Sequence, residues 1–251
     1  KWSRRFRIMS DLKINNISNR NSDTGPVIAG VSTVSSSFMV MPSGDTAIRG
    51  AGGGRGVIYA GSASNGSNQS NLNSVEIATT GNAVEFGTMS IARRGIGDAG
   101  GASATRGFAA GGYSSNNDST IDYVTISSLG GANDFGDLSY NARTVSACSD
   151  STRGIFAGGQ NDAPSTVNNV EFITISSTGD TTAFGSLAQR LRNVTGCNSP
   201  VRGIFAGGYS SSDSSAPNGV NTIQFVTIQT LGNTQDFGDL SVLFKSGSAS
   251  S

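Results

Sequence analysis

The seven residues Arg153–Gly159, RGIFAGG, return unchanged at Arg202–Gly208. A close variant, RGFAAGG, fills Arg106–Gly112, and a more divergent one, RGVIYAG, fills Arg55–Gly61. A motif written four times at a near-constant interval marks a repeat architecture, and periods of this size build solenoids or propellers. Outward from the motif the copies stay in register. Each continues into a β-branched and aromatic run, such as IDYVTIS or VEFITIS, and then into a Phe-Gly pair. The pairs begin at Phe86, Phe135, Phe184 and Phe237, spaced 49, 49 and 53 residues apart.

Each copy reads as four strands. Strand a is the short apolar run closed by a Gly pair. Strand b alternates with period two: Val124 and Ile126 face one way, Tyr123 and Thr125 the other. A glycine turn follows at Gly130–Gly131, Gly179 or Gly232, then strand c (DFGDL in two copies), then strand d with an Arg and small residues (ARTVSAC in copy two). No segment has helical periodicity. Four strands per unit is the arithmetic of a propeller blade. The expected fold is all-β: a propeller of four four-stranded d-a-b-c blades over residues 31–251, preceded by an extended arm over residues 1–30. The stretch 38–54, FMVMPSGDTAIRGAGGG, resembles strands c and d of an earlier blade. It supplies either strand d of the first blade or part of a fifth, composite blade.

Composition narrows the function classes. Gly is abundant at 35 of 251 residues and only 14% are charged, which suits many short strands and small-residue turns. No apolar run is long enough to span a membrane, and no secretory leader is expected at the N-terminus. Lys1, Arg4, Arg5 and Arg7 crowd the start; from residue 11 onward there are 13 basic and 17 acidic side chains. A propeller body with that excess of acid is not expected to grip nucleic acid. Met9 looks like a natural start, which would make residues 1–8 an upstream extension. Cys148 and Cys197 are one period apart, at a place filled by Gly101 in the preceding copy. That position reads as a small, buried slot and not as a disulfide.

The chain has no His, which removes His-dependent triads and most zinc and copper centres. Only three Glu are present, Glu76, Glu85 and Glu171, and nothing singles out a catalytic carboxylate pair. Glycine runs such as 50–56 lack the strand-turn-helix setting of a phosphate loop. Two Arg series follow the repeat. One is Arg94, Arg143 and Arg192, with Lys245 in the fourth place; the other is Arg55, Arg106, Arg153 and Arg202. Equivalent positions form a ring in a propeller, so the first series offers positive charge to an anion or a carboxylated glycan. The plainer role for either series is to tie one blade to the next through a carboxylate such as Asp137 or Asp239, or through carbonyls. The a–b loops are long, polar and the most variable part of the copies, and recognition concentrates on such loops. Tyr113, Asn116, Asp118, Asp162, Tyr209 and Asp213 are their candidate contact residues. No calcium-loop spacing occurs, and neither a metal nor a cofactor is expected.

The order of strand, Gly-Gly, polar loop, xVTI, aromatic, Leu and Arg resembles the kelch repeat over residues 55–245. The Gly pair stands for the kelch diglycine, and Phe135, Phe184 and Phe237 stand where kelch proteins carry Trp. Residues 9–31 are Asn-rich and are similar to short N-terminal stretches of virion structural proteins of tailed marine cyanobacterial phages. Leu12, Ile14, Asn15, Ile17 and Asn19 fit that pattern, with Gly25 and Pro26 beyond. The resemblance implies a non-enzymatic virion surface protein, a tail-fibre or capsid-decoration component made in the host cytoplasm. Its arm, through Leu12, Ile14 and Ile17, would dock on other virion proteins in a multi-copy or homo-oligomeric assembly. Its loops would meet a host-surface glycan. The alternatives are a cellular kelch-type scaffold for a protein partner and a polysaccharide-active propeller enzyme.

Overall fold

The computed structural model describes residues 54–59, 61–97, 99–162, 165–210 and 219–247, all within the unit Ser43–Ser251. Every regular element is a β-strand. The first blade holds β1 (Arg55–Tyr59), β2 (Gln69–Glu76) and β3 (Val84–Arg93). The second holds β4 (Gly100–Ala102), β5 (Arg106–Ala110), β6 (Thr120–Thr125) and β7 (Asn133–Asp137). The third holds β8 (Ser146–Ser149), β9 (Arg153–Ala157), β10 (Val167–Thr174) and β11 (Thr182–Leu191). The fourth holds β12 (Thr195–Asn198), β13 (Arg202–Ala206), β14 (Val220–Thr227) and β15 (Gln235–Phe244). Each blade is a separate antiparallel sheet whose strands follow chain order, d-a-b-c as the repeat predicts. The four blades are in a propeller arrangement. A strand d for the first blade, the fifth composite blade and the arm with Leu12, Ile14 and Ile17 all fall outside the described residues.

The alternation read from strand b is the packing pattern. Val124 and Ile126 are buried while Thr125 is exposed, and Ile173, Ile175, Val226 and Ile228 repeat the arrangement. Tyr123, Phe172 and Phe225 face the other side of their strands and meet the Phe-Gly phenylalanines edge-on, at centroid distances of 5.8, 6.1 and 6.1 Å. The d–a hairpins are fixed by one side-chain oxygen each. Ser103 Oγ accepts from the Arg106 N–H, Asp150 Oδ1 from the Arg153 N–H and Ser199 Oγ from the Arg202 N–H.

The blades join by one repeated seam. The turn before strand c donates to strand c of the preceding blade: Gly130 N–H to Phe86 O, Gly179 N–H to Phe135 O and Gly232 N–H to Phe184 O, at 2.9, 2.6 and 3.0 Å. A second bond follows two residues on, from Ala132 to Thr88, Thr181 to Asp137 and Thr234 to Ser186. The turn comes so close that a Cβ at Gly87, Gly136 or Gly185 would run into its backbone, which explains the glycine after each phenylalanine. The RG arginines complete the seam. Each lies over the aromatic ring of strand b in its own blade, Arg106 over Tyr123 at 4.5 Å and Arg153 over Phe172 at 4.5 Å. Each then donates forward to a backbone carbonyl: Arg55 to Ile126 O, Arg106 to Ile175 O and Arg153 to Ile228 O. The blade-to-blade tie is therefore made to carbonyls and not to Asp137 or Asp239. A carbonyl is available at every seam regardless of side chain, so the arginine repeats without a matching acid.

The buried polar groups serve the same joints. In every blade the b–c pairing shifts register at one place, after Leu72, Ile121, Val170 or Ile223. The next residue is Asn73, Asp122, Glu171 or Gln224, and the bulge redirects its side chain. Glu171 accepts from the Ser139 N–H and from the Ser139 and Thr181 hydroxyls; Gln224 Oε1 accepts from the Ala188 N–H and the Thr234 hydroxyl. Asp122 instead pairs with Arg93 of the first blade at 3.0 Å, both side chains fully buried. It is the one salt bridge among the described residues. Cys148 is buried and free, packed against Gly203, and burial first of all raises its thiol pKa. Cys197 is also free but only half-buried, so the small-slot reading holds for Cys148 alone.

Candidate functional site

The first Arg series ends its strands at the same place in each blade. Arg94 directly follows β3, Arg143 lies just ahead of β8, and Arg192 directly follows β11. Each is joined by paired backbone hydrogen bonds to the residue after the Gly pair of the next blade: Arg94 to Tyr113, Arg143 to Gln160 and Arg192 to Tyr209. The residue after each arginine has a left-handed backbone, Gly95 (φ 65), Thr144 (φ 56) and Asn193 (φ 52). That turn lets the chain leave the pair and enter strand d. Thr is a costly residue for this conformation, and its Oγ1 donates to the Arg143 carbonyl at 2.6 Å.

The side chains line up in one row across the blades. The Arg94 guanidinium lies 5.0 Å from the Tyr113 ring centroid, and Arg143 lies 5.4 Å from that same ring. Arg143 Nε and Nη2 each donate to Gln160 Oε1 at 3.3 Å, and Arg192 Nη1 donates to the same oxygen. Arg192 then lies 4.3 Å from the Tyr209 ring. The sequence of groups is Arg94, Tyr113, Arg143, Gln160, Arg192, Tyr209. No carboxylate pairs with any of these arginines among the described residues. Lys245 occupies the fourth place and is exposed, without a stacked ring or an acidic partner among the described residues.

The loop candidates divide. Asn116 is exposed, and its carbonyl accepts from the Ser114 N–H. Asp118 Oδ1 accepts from the Thr120 N–H at 2.8 Å, which holds its own loop. Asp162 Oδ1 accepts from the Asn117 N–H at 3.1 Å, and Asn117 Nδ2 donates to the Gln160 carbonyl, so the second and third a–b loops are fastened together beside the row. Asp213 lies outside the described residues. Gln160 and Asn117 went unread in the sequence. Aligning GGY, GGQ and GGY would have found Gln160, which was passed over because its two counterparts are tyrosines. Apart from the row, a cleft of about 300 Å³ between the first two blades is lined by Tyr59, Ile96, Gly97 and Ala109 and carries no charged group. Within the described residues, no group of His, Cys, Asp and Glu is placed to hold a metal ion.

Chemically the row offers forked cationic donors alternating with aromatic faces. Guanidinium forks match carboxylate, sulfate or phosphate oxygens, and a tyrosine face packs on the apolar side of a sugar ring. Nothing in it abstracts or delivers a proton near neutrality.

A scan against protein-family models finds no match, and none of the curated proteins matches either. Among solved structures the chain is similar to one titled "Structure of YjhT", with a TM-score of 0.61 and 10% sequence identity, over 78% of this chain and 71% of that one. At that identity the likeness is one of fold. It agrees with the propeller arrangement of blades. The kelch likeness remains a matter of residue pattern.

Proposed function

We propose that the chain is a non-enzymatic recognition propeller, carried on a phage particle surface, whose Arg–Tyr row engages an acidic glycan of the host. The observation that carries the binding role is the row itself. Three guanidiniums are ordered by aromatic rings and a shared glutamine oxygen, with no described carboxylate to neutralise them, on a body whose overall charge is acidic. The lack of His, and the use of Asp122 and Glu171 as structural ties, support binding without turnover. The virion setting is supported by the resemblance of residues 9–31, and the kelch-like pattern suits a rigid display scaffold.

The test is titration of the full chain with a carboxylated polysaccharide, polygalacturonate, beside neutral dextran. Binding to the acidic polymer alone is expected, weakening as salt rises. Arg143→Ala with Arg192→Ala should weaken it by about tenfold or more, since charge-assisted hydrogen bonds contribute roughly 1.5–3 kcal/mol each. Equal binding of both polymers, or none, refutes the acidic-glycan role. Absence of the chain from purified particles by mass spectrometry refutes the virion setting independently.

A further inference from the structure

The seam that joins the blades is made three times, yet its two halves occur four times each. The fourth blade carries the forward half. Phe237-Gly238-Asp239 repeats Phe86-Gly87-Thr88, and Arg202 lies over Phe225 at 4.6 Å as its counterparts lie over theirs. The first blade carries the receiving half: Ile77 where the others have Ile126, Ile175 and Ile228, and Gly81-Asn82-Ala83 where they have Gly179-Asp180-Thr181. Neither half is used. Phe86, Phe135 and Phe184 are 3–4% exposed, but Phe237 is 52% exposed. Ile126, Ile175 and Ile228 are buried, but Ile77 is 70% exposed. A Cβ at Gly238 or at Gly81 would meet nothing within 4 Å, although Gly87, Gly136 and Gly185 are each pressed by a neighbouring turn. The Arg202 guanidinium donates to no described carbonyl, and the first-blade turn donates to no described strand.

We infer that these halves are the two sides of an interface between copies of this chain, in which the first blade of one copy seats on the fourth blade of another. A second copy is the occupant that the page specifies. The uncovered face asks for a glycine turn followed by a polar acceptor and for an isoleucine carbonyl within reach of Arg202. The first blade displays that set, and it does not reach its own fourth blade. In the seam Gly81 and Ala83 donate to the Phe237 and Asp239 carbonyls, and Asn82 Oδ1 accepts from the Asp239 N–H as Asn233 Oδ1 does from the Ser186 N–H. Arg202 reaches the Ile77 carbonyl. The contact is head-to-tail, so it closes into a symmetric assembly or propagates. This goes beyond ligand binding and does not depend on it.

Sedimentation velocity of the full chain across the micromolar range tests it. The wild type is expected to associate with rising concentration. Ile77→Asp, which places a charge in the seam at a position exposed in the single copy, should raise the dissociation constant at least about tenfold. Gly238→Ala should do the same from the other side. An equimolar mixture of the two variants should associate more strongly than either alone, because each mixed pair keeps one intact seam. A wild type that stays monomeric overturns the inference and leaves the face to be covered by the chain's own first blade or by its N-terminal residues. Association unmoved by both variants, or a mixture no better than its components, overturns it too. Circular dichroism confirms that each variant keeps its strands.

Discussion

Gly136 and Gly238 are the same residue of two repeats, with nearly the same backbone, φ 142 and φ 137. Alanine at either one brings a similar strain, roughly 1–3 kcal/mol for an L side chain in that region. Only at Gly136 does a turn of the next blade stand where the methyl would go, with the Gly179 and Asp180 backbone as the obstacle. Backbone cannot rotate aside as a side chain can. The second and third blades must part locally, which weakens the Gly179 to Phe135 and Thr181 to Asp137 bonds. At about 1 kcal/mol for each hydrogen bond, and about 1–3 kcal/mol for overpacking, Gly136→Ala should cost roughly 2–4 kcal/mol more than Gly238→Ala. Urea unfolding at a dilution that keeps the chain monomeric reads the difference as a shift of midpoint at constant slope. Because the strain common to both sites cancels, the comparison isolates the seam. Two variants equal within about 0.5 kcal/mol would show that the seam is not close-packed and would remove the reason given for the Phe-Gly glycine.

Three further outcomes are expected. Asp122→Ala leaves Arg93 buried without its counter-charge and should cost about 3–5 kcal/mol, whereas Arg93→Met with Asp122→Leu should recover most of that loss in the same unfolding assay. Burial opposes charge on Asp150, but hydrogen bonds from the Arg153 and Thr152 N–H groups, the Gln229 amide and the Thr152 hydroxyl outweigh it, so its carboxyl titrates below its ordinary value. That contribution is complete above the unfolded pKa of about 3.9 and is lost as pH falls through the folded value, so wild type should lose more stability than Asp150→Asn between neutral pH and pH 3. Thr144→Asn adopts the residue that copy three uses at the same left-handed position. It should raise the melting temperature slightly, by up to about 1 kcal/mol of stability; a drop would mean that the Thr144 hydroxyl bond to Arg143 outweighs the backbone cost.

Most of the fold was legible because its determinants recur. Period-two strands, glycine turns and the Phe-Gly pair are local patterns, and four aligned copies average out the noise in each. The seam was only half legible. The repeat shows that Gly238 belongs to the series, but not that nothing lies against it, since that depends on which blade comes next in space. The Arg94 series was found by its spacing. Its partners were not, because Tyr113, Gln160 and Tyr209 share a place and not a chemistry. Arg93 was hidden by Arg94 beside it. It stands where the other copies have Ala142, Leu191 and Phe244, an apolar slot, and the acid that answers it, Asp122, is Glu or Gln in later copies. A pair that replaces a repeat pattern at two positions at once leaves no period to read.

Because each seam is written wholly within one unit, a forward half and a receiving half, the architecture is indifferent to how many units there are. A whole copy duplicated or deleted in register carries matching edges with it and disturbs no neighbour. Length can also grow where no seam passes. The interval of 53 residues in place of 49 reflects extra residues in the a–b loop after Tyr209, leaving the Phe237 and Gly232 elements aligned with the rest. Such a chain separates two kinds of variation that most domains must trade against each other. Blade number changes by gene duplication, while loop sequence drifts one residue at a time, and neither requires a compensating change in the other.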